Sequence, residues 1–126
     1  MMWNGRRVSA YAYTAAVDMR KGFDGLSALV VQKLGRDPLS GELFLFVSRN
    51  RIRAKVLHWD GTGLCVYAKR LERGRFSCLW REESEPNVRL TLSELQLFLE
   101  GSKLVGKISL SPPEMTHFSL ANRSRP

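Results

Sequence analysis

The chain has 126 residues, 44% of them apolar and 25% charged, which is ordinary globular usage and argues against disorder of the whole. Twenty Lys and Arg against twelve Asp and Glu leave +8, which predicts a polyanionic partner without saying whether it is nucleic acid or a membrane surface. The longest apolar runs, 26–31 and 43–47, fall well below the roughly 18–20 residues of a membrane-spanning helix, so no membrane partner is expected. Val8 to Tyr13 is too short and too polar for the apolar part of a signal peptide, which predicts a cytoplasmic location. Cys65 and Cys78 have no Cys or His partner at metal-ligand spacing, so they are expected to be buried free thiols and no metal or cofactor site is predicted.

Taken in chain order, Val8 to Tyr13 predicts an opening strand. The loop Val17 to Gly22 then leads into a helix on which Phe23, Leu26, Val30 and Leu34 recur at helical spacing, with Asp18 or Asp24 as its cap and Gly35 as its stop. A turn cluster over Arg36 to Gly41 precedes Leu43 to Val47, which is apolar at every position and predicts a central strand covered on both faces. Two further strands, Arg53 to Asp60 and Leu64 to Glu72, flank Asp60-Gly61-Thr62-Gly63, a strong hairpin signal. Phe76 to Trp80 is expected to continue the meander, and Glu82 to Pro86 to be a solvated loop. Thr91-Leu92-Ser93-Glu94 fits a capping box, and the helix it opens carries Leu92, Leu95, Phe98 and Leu99 on one face before Gly101 stops it. The whole predicts an α+β fold, an antiparallel meander of four or five strands with one helix before and one after the central strands. Residues 1–110 are expected to form one domain and 111–126, rich in Ser, Pro, Asn and Arg, a mobile basic tail.

The charge is local. Between Arg49 and Arg75 lie eight cations (Arg49, Arg51, Arg53, Lys55, Lys69, Arg70, Arg73 and Arg75) against Asp60 and Glu72, which places +6 of the net charge in this stretch. Arg49, Arg51, Arg53 and Lys55 alternate with other residues, so an extended strand carrying all four would show them on one face at intervals of about 6–7 Å. Symmetric folding about the Asp60 to Gly63 turn would set Trp59 against Leu64, Leu57 against Val66, Lys55 against Ala68, Arg53 against Arg70 and Arg51 against Glu72. Directly opposed arginines disfavour pairing unless an anion neutralises them, which points to phosphate and to a ribbon that follows a nucleic-acid backbone. The competing reading is a solvated face whose cationic stems cover apolar surface and whose charge guards a sheet edge. Trp59, Tyr67 and Phe76 interleave the cations, with core or cross-strand packing expected over base stacking. A second, smaller anion site is suggested by Arg20 and Lys21 ahead of the first helix, against the simpler reading of a helix start with exposed cations.

No catalytic constellation emerges. Asp18, Asp24 and Asp60 sit in loop or cap contexts, His58 and His117 lack partners, and Gly61-Thr62-Gly63 lacks the Gly-Lys-Ser/Thr of a phosphate loop, so no catalytic residue is predicted and the protein is not expected to be an enzyme.

The segments Val17 to Leu26, Phe44-Leu45-Phe46, Lys55 to Gly63 and Lys69 to Phe76, in this order and spacing, closely resemble the TnpB-type accessory proteins of the insertion sequence 66 family. The resemblance runs from about Val8 to Gly101. It implies a non-catalytic protein that assists transposition beside a separate, larger transposase. After Phe76 the family often continues with a Trp-Pro step, whereas here Ser77-Cys78-Leu79-Trp80 intervenes. The family supplies no binding residues, so the cations rest on charge and spacing alone. The expected partners are DNA, first of all the element's ends, and the transposase. The alternative function is a module that recruits the transposase through the helices' apolar faces or the edge of the Phe44 strand.

Overall fold

Leu43 to Val47 is buried at all five positions, because a strand apolar on both faces needs cover on both. The computed structural model describes residues 8–101 apart from Glu83, together with the backbone of 104–105 and 108–109. Its elements are β1 (Ala10–Tyr13), α1 (Phe23–Leu29) continued by a π-helical turn (Val30–Leu34), β2 (Leu43–Val47), β3 (Arg53–Trp59), β4 (Leu64–Arg70), β5 (Asn87–Leu90) and α2 (Leu92–Leu99), followed by a small ladder of β6 (Leu104–Val105) with β7 (Ile108–Ser109). Residues 111–126, expected to form a tail, lie outside the described residues.

The main sheet has the order β4-β3-β2-β1-β5. The α+β architecture is the expected one, with one helix before and one after the central hairpin. Not every pair is antiparallel, however. β1 and β2 run parallel, because the α1 crossover brings the chain back in the same direction where a tight hairpin would reverse it. Phe76 to Trp80, expected as a strand, is irregular instead: Phe76 and Leu79 are both fully buried, and two residues three apart cannot face the same way in a strand of period two. The fifth strand is Asn87–Leu90, a short edge strand that pairs antiparallel with β1.

The two faces of the sheet carry separate cores. Leu43, Leu45, Val47, Ala54 and Val56 pack under Leu95, Phe98 and Leu99 of α2, with Phe76 and Leu79 filling the side. The Phe76 and Phe98 rings stack with centroids 5.3 Å apart. On the opposite face Tyr11, Phe44, Phe46 and Leu57 lie under Leu26, Val30 and Leu34.

The helix ends follow local chemistry. Thr91 Oγ1 accepts from the Glu94 amide at 3.1 Å and Glu94 accepts from the Thr91 amide at 2.9 Å, completing the predicted capping box. Gly35 closes the first helical segment at φ 65°, a left-handed conformation that suits glycine. Neither Asp18 nor Asp24 caps α1, contrary to expectation, since Gly22 occupies the cap position without a side-chain bond. Asp24 lies inside the first turn, and Asp18, too far upstream, accepts from the Arg20 amide at 2.9 Å.

Candidate functional site

The β3–β4 hairpin adopts the predicted register, with Trp59 opposite Leu64, Leu57 opposite Val66, Lys55 opposite Ala68 and Arg53 opposite Arg70. At its closed end the Asp60 carboxylate accepts from the amides of Thr62 and Gly63 and from the Thr62 hydroxyl at 2.9–3.1 Å, and these bonds hold its pKa down to about 2. The bonds from the Asp60 amide to the Gly63 carbonyl and from the Leu71 amide to the Ile52 carbonyl bracket the ladder. Hydrogen-bonded pairs therefore fall on even-numbered β3 residues. Arg53 and Arg70 form a non-hydrogen-bonded pair, the kind in which opposed side chains come closest.

The expected alternation of four cations on one face fails before Arg53. Residues 48–51 must turn the chain between β2 and β3, and Arg51 takes φ 60° there, with its amide donating to the Ser48 carbonyl at 2.9 Å. Arg51 opposes no residue of the β3–β4 ladder, so its predicted pairing with Glu72 is not formed. Its guanidinium instead donates to the Phe76 carbonyl at 3.2 Å, while the Phe76 amide donates to the Arg51 carbonyl at 2.7 Å, which pins the segment that plugs the α2-side core. Lys69 is also committed. It projects to the α2 side and its Nζ donates to the Leu99 carbonyl at 2.7 Å, a cation at the negative end of a helix.

Strand parity sends Arg53 and Lys55 of β3 and Arg70 of β4 to the other face, where the α1 core stops. There they meet the loop before α1, and Lys55 Nζ donates to the Lys21 carbonyl at 2.8 Å. Two adjoining open hollows result, sharing Met19 and Arg53. One is bordered by Asp18, Arg20, Arg49 and Asn50, the other by Lys55, Lys69, Arg70 and Glu72. Two basic groups far apart in sequence, Arg20 with Lys21 and the β3–β4 cations, thus stand side by side, joined by a bond that spans 34 residues. Arg49 is exposed in the β2–β3 turn, and Arg73 and Arg75 are exposed on the turn after β4.

The arginines differ in how far their charge is already used. Arg36 lies over the Tyr11 ring at 3.9 Å and donates twice to Glu42 at 3.0 and 3.1 Å, holding the Glu42 carboxyl below the usual carboxylate range. Arg20 grips Asp18 at 2.6–3.1 Å, and its hydrogen bonds lower the Asp18 pKa to about 2. Among the described residues, no carboxylate pairs with Arg53.

The remaining chemistry-bearing residues are dispersed. No group of three His, Cys, Asp or Glu among the described residues is placed to hold a metal ion. Cys65 and Cys78 are free but only half-buried, and burial pushes the Cys65 thiol upward with the Asp60 carboxylate adding to the shift. Phe76 is core but packs on Phe98 of α2 and not across strands, whereas Tyr67 is exposed on the α2 side and Trp59 sits at the turn end of the hairpin. They form no shared platform beside the cations. The β2 strand named as a recruiting edge is flanked by β1 and β3, and the helices' main apolar faces are spent on the sheet. No helix among the described residues is long and apolar enough to cross a membrane.

The chain belongs to the IS66 Orf2-like family, accessory proteins of a class of mobile elements, whose model matches residues 8–107. It is 36% identical over 101 residues to the uncharacterized protein y4hO of Sinorhizobium fredii, covering 80% of this chain and 86% of the relative. A second uncharacterized protein of that organism, y4jC, is 37% identical over 76 residues, which span 60% of this chain and 65% of the relative. No solved structure matches the chain.

Proposed function

We propose that this accessory protein binds DNA by its phosphate backbone, beside the element's transposase, and that the binding surface is the corner formed by Arg20, Lys21, Arg49, Arg53, Lys55 and Arg70, extended by Arg73 and Arg75. The observation that carries this reading is the opposition of Arg53 and Arg70 at the exposed end of the sheet, with no carboxylate among the described residues on Arg53. A fold that only had to be stable would not place two like charges at the closest kind of cross-strand position. Cations drawn from several segments onto one surface suit a ligand that is itself a row of charges, and phosphate contacts set position without reading sequence. Element-end DNA is the expected target. Arg51 and Lys69 are left out because their head groups bond to the Phe76 and Leu99 carbonyls of the α2-side core, whereas the bonds of Lys55 and Arg20, to the Lys21 carbonyl and to Asp18, lie within the corner itself.

The test is fluorescence-anisotropy titration of an element-end duplex and an unrelated duplex at several salt concentrations. Binding that weakens with a log–log slope of about −3.6 or steeper, equivalent to four or more phosphates, is the expected result. Charge reversal of Arg53 and Arg70 together should abolish binding while the melting transition is kept, and retained affinity would sink the reading. Co-purification with the transposase from nuclease-treated extract, with no DNA affinity, would instead favour recruitment by this corner of an acidic protein surface.

A further inference from the structure

Two acidic side chains border the corner, Asp18, which Arg20 grips, and Glu72, which is held more loosely. Glu72 Oε2 lies 3.4 Å from Arg70 Nε, and the two side chains are 78% and 62% exposed. This is the loosest of the three ion pairs among the described residues, the others closing to 2.6 Å at Asp18–Arg20 and 3.0 Å at Arg36–Glu42. Both of those are gripped through two guanidinium nitrogens, whereas Glu72 receives a single bond from Arg70. Glu72 borders the same hollow as Arg53 and Arg70 but pairs with Arg70 alone, which leaves Arg53 without a carboxylate among the described residues. A phosphodiester presents two non-bridging oxygens that can accept from both arginines at once, with the short, charge-assisted geometry that the Glu72 contact lacks.

We propose that Arg53 and Arg70 form a clamp for a single phosphate group and that Glu72 is its built-in competitor, which a nucleic-acid phosphate displaces on binding. This rests on the DNA-backbone reading and names the contact at its centre. It makes a numerical distinction. Two arginines on one phosphate count once in counterion release, whereas arginines on separate phosphates count twice.

The experiment compares the full-length wild type with the Arg53→Gln/Arg70→Gln double variant and with Glu72→Gln. Each is titrated against a duplex of random sequence across a salt series. In parallel, melting temperatures of these proteins and of Arg53→Gln are followed as inorganic phosphate replaces chloride at constant ionic strength. The double variant should lose about 0.9 from the salt slope. Glu72→Gln should bind about two- to fivefold more tightly, the weight of one exposed ion pair. Phosphate should raise the melting temperature of wild type and Glu72→Gln more than that of Arg53→Gln. A slope loss of about 1.8, or Glu72→Gln binding no tighter than wild type, would overturn the proposal. If neither wild type nor any variant binds duplex, the DNA reading fails, and the clamp is then judged by the phosphate series alone: it stands if the rise seen for wild type is lost in Arg53→Gln and in a matching Arg70→Gln. If phosphate stabilises wild type no more than Arg53→Gln, the clamp fails, whatever the duplex does.

Discussion

On the α2 side of the sheet, Leu95, Phe98 and Leu99 meet the strands along their length, and the charged residues that reach this side are put to use, Lys69 on the Leu99 carbonyl and Arg51 on the Phe76 carbonyl. On the α1 side, Leu26, Val30 and Leu34 cover Tyr11, Phe44 and Leu57, but beyond Leu57 the same face of β3 continues as Lys55 and Arg53. One sheet is thus closed on one face and left open at a corner of the other. The difference shows that a count of cations overstates an interface. Lys69 and Arg70 are neighbours in sequence, yet the alternation of a strand assigns the first to the scaffold and the second to solvent.

The contrast can be broken at its strongest point first. Replacing Phe98 by Ala removes a fully buried ring and its stacking on Phe76, and should reduce unfolding free energy by about 3–5 kcal/mol in urea denaturation. DNA affinity measured where the variant is still folded should be little changed, because the corner is built on the other face. Thr91→Ala removes one half of the capping box and should destabilise by about 1 kcal/mol, again with the corner unaffected.

Arg53→Thr tests the open face with the opposite sign. It relieves the like-charge pair and introduces a β-branched residue, so stability should rise by about 0.2–1 kcal/mol while DNA affinity falls. A drop in stability would mean that Arg53 supports the fold and that the corner is less available than proposed. The smallest effect is a change in the shape of the acid profile. Asp60, with an ordinary pKa of 3.8, is held at about 2 in the folded chain, so its stabilising contribution is complete above about pH 4 and fades as pH falls toward 2. Asp60→Asn should flatten that limb of a stability–pH curve, and Asp18, lowered to a similar degree, should keep part of it.

Much of this organisation is legible in the residues because it is local. The Asp-Gly turn fixed the hairpin register from Trp59 to Arg53, the uniform apolarity of Leu43 to Val47 marked the central strand, and the Thr91 and Glu94 pair marked a helix start. What stayed illegible depends on distant partners. Asn87–Leu90 is four residues long and partly polar, and it becomes a strand only because β1 offers an edge. The break in the Arg49 to Lys55 alternation was visible in principle, since β2 and β3 need a turn between them, but the bond from Arg51 to Phe76 spans 25 residues and leaves no trace in spacing. The meeting of Lys21 with Lys55 is equally non-local, and it unites two basic groups that the sequence presents as unrelated.

The place of β1 between β2 and β5 bears on how the chain acquires its structure. Ala10 pairs with Leu43 on one side and Leu90 on the other, so β1 keeps a bare flank until β5, about 75 residues later in synthesis, has emerged. Pairings of such long sequence separation are slow to form, because loop closure precedes any gain from the contacts. The β2–β3–β4 hairpins, built from near neighbours, have no such delay and can assemble during synthesis. The segment bearing the opposed arginines would then exist before the sheet that steadies it is complete, and a chain cut short before Asn87 would present β1 as an unguarded edge open to pairing with other chains.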